Sequence, residues 1–194
     1  GARVRDVFLK PSVRRGGLSV ACELGGLEAG RRYQLRANIT TGGKAVKTFT
    51  GPAFAGSGAT EFFAPWPDPR LWDLDQPNLY SATVDLLDSA GKVLDTTLPV
   101  QFGFREFWIE GKNFVLNGKR IHLRCLDYFN IGHDFAQASL PAVKETFRRA
   151  RSMGFNYVIH GNYDYEPQSF AYMADTLRAG DELGFPMSYS TRHV

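Results

Sequence analysis

"FGFREFWIEGKNFVLNGKRIHLRC", residues 102–125, sets three strand-like runs side by side with almost no room between them. Glu110-Gly111-Lys112 reads as one turn. Asn117-Gly118 reads as a second, and Asn-Gly is the strongest short hairpin signal because both residues accept a positive φ. Before this stretch the chain is a series of short extended runs. After it, helical patterns alternate with strands. The stretch therefore predicts a boundary, with one domain over 1–104 and another over 105–194.

Working back from Phe104, breakers such as "RRGG", "TTGGK", "GSG" and "DSAGK" separate about seven extended runs. These are "VRDVFLK", "LSVACEL", "RYQLRANIT", "KAVKTFTG", "ATEFFAPW", "YSATVDLLD" and "KVLDTTLPVQFGF". Tyr33, Leu35 and Ala37 alternate with Gln34, Arg36 and Asn38, which assigns one face inward and one outward. Short strands at near-regular spacing predict an immunoglobulin-like β-sandwich that folds alone. The sandwich has no histidine, and its carboxylates fall mostly in turns and at strand ends, so no catalytic set is evident there. The aromatic cluster "EFFAPWPDPRLW" has two readings, a platform for stacking sugars and a rim or interdomain packing element. The prolines from Pro65 to Pro77 read as a rigid crossover to the next strand.

Working forward, Ser139 is placed to cap a helix that tolerates Pro141 in its first turn. Leu140, Val143, Phe147 and Ala150 form its apolar stripe, and Arg148, Arg149 and Arg151 read as a solvated flank. Gly154 is suited to a left-handed stop. "FNYVIH" follows as a buried strand, then a helix over about 168–183 ended by Gly184, then "FPMSYS". The pair Gly154-Phe155 and its repeat Gly184-Phe185 each join a helix to a strand. Such a repeat predicts βα units on a parallel sheet. Its strands are expected at 121–126, 157–160 and 187–190.

Composition narrows the function classes. A net charge of +3 with both signs dispersed argues against nucleic acid. No apolar run is long enough for a membrane span. The opening "GARVRDVFLK" is already strand-like, which leaves room for an upstream segment. Cys22 and Cys125 fit no metal or redox spacing and read as two buried free thiols; no cofactor or metal is expected.

The residues then resemble a known family. "LWDLDQPNLY", through Trp72, Pro77, Leu79 and Tyr80, is similar to a motif in the immunoglobulin-like middle domain of glycoside hydrolase family 2. Gly103, Arg105, Phe114, Asn117, Gly118, Lys119 and Leu123-Arg124 resemble that family's junction into its TIM barrel. "MGFNYV" and "DELGF" resemble its first two helix-to-strand joints. The resemblance implies a retaining β-glycosidase in which two glutamates, about 5–5.5 Å apart, act as acid/base and nucleophile. The family carries them on the fourth and seventh barrel strands. Three strands are counted here, so this chain is expected to be a fragment that lacks both glutamates and is inactive alone. Where the family has an arginine after the second strand this chain has Ile159, followed by "HGNYDYEP", in which only Tyr163 matches. That departure withdraws support from galactoside, glucuronide and mannoside alike.

A TIM barrel builds its site at the carboxyl ends of its strands. By that rule the sugar-facing candidates are Asp127, Tyr128 and Asn130 after the first strand, and His160, Asn162 and Tyr163 after the second. Thr191, Arg192 and His193 follow the third. Asp164 and Glu166 lie in a loop and read as solvated. The expected partner is a carbohydrate. Three parallel strands leave two open edges, which predicts self-association. The competing reading is a non-catalytic β-sandwich module that binds carbohydrate or a partner protein.

Overall fold

The computed structural model describes residues 1–56, 58–127, 139–162 and 169–191, with backbone alone at 161, 162, 169–172, 190 and 191. Strands predominate, with two helices among the described residues. The chain divides into two compact units, Gly1–Arg70 with Leu79–Glu106, and Leu71–Asn78 with Phe107–Val194.

In the first unit, β1 (Arg3–Ser12), β2 (Gly17–Gly25) and β6 (Ala59–Pro65) form one antiparallel sheet in the order β1-β2-β6. A second antiparallel sheet runs β4 (Lys44–Thr50), β3 (Arg32–Thr41), β7 (Tyr80–Asp88), β8 (Val93–Thr96). The short β5 (Phe54–Ala55) adds to β3, and β9 (Val100–Phe102) adds to β7. The last run expected from sequence is therefore two strands. Pro99 has no N–H to give a ladder, and the pairing ends at Thr96 and resumes at Val100. Thr97 still exchanges bonds with Val84: its hydroxyl accepts the Val84 N–H and its own N–H reaches Val84 O, each at 3.0 Å.

Alternation assigns the inward faces. Leu35, Ala37 and Ile39 on β3 lie opposite Leu86, Val84 and Ala82 on β7, and all six are buried. From the other sheet come Leu18, Val20, Cys22, Leu24, Phe62 and Ala64. Burial, and then the Asp6 carboxylate, push the Cys22 thiol up to about 12, so it acts as a small apolar side chain. Cys125 differs from expectation and is exposed, because it lies on the uncovered face of its strand. Trp66 closes the core at one end, with ring centroids 4.8 Å from Tyr80, 5.2 Å from Phe104 and 5.7 Å from Phe49.

The second unit opens with β10 (Phe107–Glu110), β11 (Asn113–Leu116) and β12 (Lys119–Ile121), an antiparallel sheet in chain order. Asn117 (φ 51°) and Gly118 (φ 81°) turn β11 into β12 with two positive φ values. Then β13 (Cys125–Asp127), α1 (Leu140–Ser152), β14 (Tyr157–Asn162), α2 (Ser169–Leu183) and β15 (Met187–Thr191) follow, with the three strands parallel in the order β13-β14-β15. The first parallel strand thus begins at Cys125, not at Ile121. Between them, the Asn156 carboxamide accepts the Arg124 N–H at 2.8 Å and donates to His122 O at 2.9 Å. A side chain replaces the strand ladder there.

Both helices stop alike. At the end of α1 the Phe155 N–H reaches Ala150 O at 3.0 Å and the Gly154 N–H reaches Arg151 O at 2.9 Å, a Schellman stop. The Phe185 N–H reaches Gly180 O at 2.9 Å at the end of α2. At the start of α1, Ser139 has the extended backbone of a cap, but its hydroxyl makes no capping bond. Val143, Phe147, Ala150, Val158, Ala179 and Phe185 form the buried core, flanked by Leu126, Leu140, Phe155, Leu183 and Met187. Each fully buried large side chain contributes about 1.5–3 kcal/mol.

Candidate functional site

The carboxyl ends of β13, β14 and β15 are where this architecture can gather polar side chains from separate strands. Register fixes the neighbours: Asp127 pairs with Ile159, Ile159 with Ser188, His160 with Tyr189, and Asn162 with Thr191. Leu126, Val158 and Met187 pack into the helix-covered core. A strand's side chains alternate, so Asp127, Ile159 and Ser188 occupy the opposite face, while His160 and Tyr189 share the helix side with Val158.

The candidates therefore separate. Asp127 is exposed on the face away from the helices. His160 is only 2% exposed, and its ring stacks on Tyr189 with centroids 5.0 Å apart at 29°. The Tyr189 hydroxyl donates to Met173 O at 3.2 Å, and Thr176 beside it is fully buried. Burial pushes the Tyr189 hydroxyl up to about 12, partly offset by its hydrogen bond with Thr176. Asn162 ends β14 as backbone. Tyr128, Asn130, Tyr163, Asp164, Glu166, Arg192 and His193 lie outside the described residues. Sequence reasoning misses Tyr189, although its period-two spacing from Met187 marks the face it takes.

Among the described residues, no group of three or more His, Cys, Asp or Glu is placed to hold a metal. No helix among them is long and apolar enough to cross a membrane. Among the described residues three carboxylates titrate away from their ordinary range, and all three move down. Glu61 is held low by its bonds to Lys10 and Ser19. For Asp85 and Glu182 burial acts upward but is outweighed, at Glu182 by Lys144 and Arg178. A general acid in glycoside cleavage needs the reverse shift.

The second unit also holds a feature that spacing alone does not reveal. Leu71–Asn78 lies in the chain between β6 and β7 yet belongs to this unit. Trp72 is fully buried, bridges to Pro77, and donates its indole N–H to Asp181 O at 2.7 Å. Asn117 donates to Trp72 O at 2.8 Å. The Arg151 guanidinium donates to Leu74 O at 2.6 Å, Leu183 O at 2.5 Å and Gly184 O at 3.1 Å, with its Cζ 4.8 Å from the Phe185 ring centroid. Arg151 is thus a clamp on carbonyls, not part of a solvated flank. Trp66 and Trp72 are both enclosed and offer no face to a sugar.

These features can be set beside known proteins. The model of the glycosyl hydrolases family 2 matches residues 2–105. A provisionally named β-glucuronidase of Formosa agariphila is 34% identical over 124 residues, which cover 60% of this chain and 13% of that protein. A second such protein from the same organism is 26% identical over 176 residues, covering 88% of this chain and 16% of its own length. The chain thus spans less than a fifth of these relatives. Among solved structures, a glycosyl hydrolase family 2 member from Bacteroides cellulosilyticus superimposes with a TM-score of 0.72 at 22% identity, covering 96% of this chain and 24% of that one. Bacteroides uniformis β-glucuronidase 3 gives 0.68 at 24%, covering 97% and 23%. At such identities the superpositions show the fold. The family match spans more than half of the chain, and on it the protein belongs to the glycosyl hydrolases family 2.

Proposed function

We propose that this chain is part of a retaining β-glycosidase. In this reading residues 1–104 form an immunoglobulin-like middle domain, and 105–194 supply the first three strands of a TIM barrel. The observation that carries it is the order β13-α1-β14-α2-β15, three parallel strands in sequence with a helix crossing between each pair. An eight-stranded barrel begins in this way. The glycosidase names of the relatives support a carbohydrate as the substrate class.

The sugar-facing edge comprises Asp127, Tyr128, Asn130, Asn162 and Tyr163, with His160 behind it on the helix side. Asp127 serves as an exposed acceptor for sugar hydroxyls. His160 acts from behind, its stack with Tyr189 fixing the ends of β14 and β15. The acid/base and nucleophilic glutamates belong to later strands of the parent enzyme. Ile159, on the same face as Asp127, presents an apolar surface where the family's arginine would contact substrate.

The test is hydrolysis of nitrophenyl β-glycosides. The isolated chain is expected to show no turnover above buffer, and the longer parent to show it. Turnover by the isolated chain sinks the reading, since it would require acids within these residues. Sedimentation of the isolated chain at rising concentration is expected to show self-association through the open parallel sheet. A monomer at every concentration removes that part.

A further inference from the structure

The outward face of β1-β2-β6 carries a concavity that none of the chemistry above uses. Alternation along β1 turns Val7 and Leu9 toward the core and leaves Asp6, Phe8 and Lys10 outside. Register then lays three rows across the sheet: Asp6-Glu23-Ala59, Phe8-Ala21-Glu61 and Lys10-Ser19-Phe63. In the middle row an alanine lies between a phenyl ring and a carboxylate, which leaves a floor between two walls. The open hollow measures about 580 Å³, the size class of a small-ligand site.

Its walls differ in chemistry. Phe8 is 66% exposed, a flat apolar ring held above the sheet. Glu61 is fixed opposite it, because Lys10 pairs with it at 2.5 Å and Ser19 bonds it from below. Asp6 and Glu23 close one end. Asp6, Glu23 and Glu61 line the rim with carboxylate acceptors, while the Lys10 ammonium and the Arg15 guanidinium act on Glu61, so the Asp6-Glu23 end is the acidic one.

We infer that this hollow binds a neutral pyranose unit of a carbohydrate chain, its C–H face on Phe8 and its hydroxyls donating to Glu61, Glu23 and Asp6. The complementarity is one of donors and charge. Sugar hydroxyls supply donors to the Asp6, Glu23 and Glu61 carboxylates, and bonds to ionised acceptors are the stronger kind. A uronate or phosphate meets a like charge at Asp6 and Glu23 and is disfavoured at that end. The floor at Ala21 gives the ring edge room that any longer side chain would fill. The site lies wholly in the first unit and stands whether or not the edge of β13–β15 contacts substrate.

The experiment titrates the whole chain with cellopentaose and mannopentaose as neutral probes and trigalacturonate as the uronate, followed by calorimetry and amide chemical shifts. At least one neutral probe is expected to bind with a Kd on the order of 1 mM, a weak single-site contact. Shifts are expected to cluster at residues 6–8, 21–23 and 59–61. Phe8→Ala, at an exposed position, is expected to abolish binding while leaving the thermal melt in place. Glu23→Ala is expected to weaken it several-fold. Three outcomes overturn the inference: no saturable binding of either neutral probe, binding of trigalacturonate as tight as theirs, or binding undiminished in Phe8→Ala. Phe8-dependent self-association without sugar binding would make the face a protein contact and likewise defeat it.

Discussion

At Gly184 the backbone stands at φ +74°, and a Cβ built there would lie 2.1 Å from Leu74 O. At Gly154, φ is +91° but the nearest atom is the Arg124 Nε at 4.0 Å, the end of a movable side chain. The two glycines share one role in helix termination and differ in their surroundings. Gly154→Ala is expected to cost about 1–2 kcal/mol, the left-handed penalty alone. Gly184→Ala adds a backbone clash and is expected to cost about 2–5 kcal/mol. Urea unfolding of both variants, with hydrogen exchange at Phe155 and Phe185, checks the difference. Asp85 offers a second test. Burial alone would raise its carboxyl, but the Thr96 hydroxyl, the Arg36 guanidinium and the Asn38 amide donate to it and hold it below the ordinary range. A depressed folded-state pKa stabilises above the unfolded value of about 4, and that contribution fades as pH falls through the folded value. Asp85→Asn is expected to cost about 1–3 kcal/mol at neutral pH. It is also expected to flatten the loss of stability on acidification, read from urea midpoints across the acid range. The Gly-Phe repeat is legible in the sequence because it is local. Arg151 is not, because the carbonyls it clamps come from residues 74, 183 and 184, far apart in sequence and close only once folded.

The element that organises the second unit is the hairpin through Asn117-Gly118, and its asparagine has two functions. It accepts a φ of 51°, and its amide donates to Trp72 O. Asn117→Gly keeps the turn and removes the bond, with an expected cost of about 1 kcal/mol. Asn117→Ala loses both and is expected to cost about 1–2 kcal/mol more. Equal losses in the two variants, measured by chemical denaturation, would remove the turn from the explanation. Strands and helices here are largely legible, since period-two and helical stripes survive into the folded faces. The onset of β13 is not. "IHLRC" reads as continuous strand by composition, but Asn156, which occupies its backbone groups, is supplied from beyond α1. The candidate site shares this fate. The rule that sites sit at strand ends locates the edge, while the face each residue takes follows only from the register of three strands.

Across the whole molecule the two units have unequal cores. Among the described residues the first buries more than a dozen apolar side chains between its sheets, and the second has six in its helix-covered cluster. Stability scales with such burial, so the chain is expected to unfold in two steps, the second unit first. Hydrogen exchange at Val158 and at Val84 separates the steps, and equal protection at both would indicate one cooperative melt. Local patterning assigns everything up to residue 104 to the sandwich, yet Leu71–Asn78 folds with residues 107 onward. Trp72 precedes the residue that takes its indole N–H by 109 positions. A ribosome adding about 5–20 residues per second needs on the order of ten seconds to make that stretch. Once β9 has been made, and until Asp181 follows, a finished pair of sheets carries a bare indole on a loop awaiting its berth, an opening for chaperones and a handle for aggregation that the mature chain no longer shows.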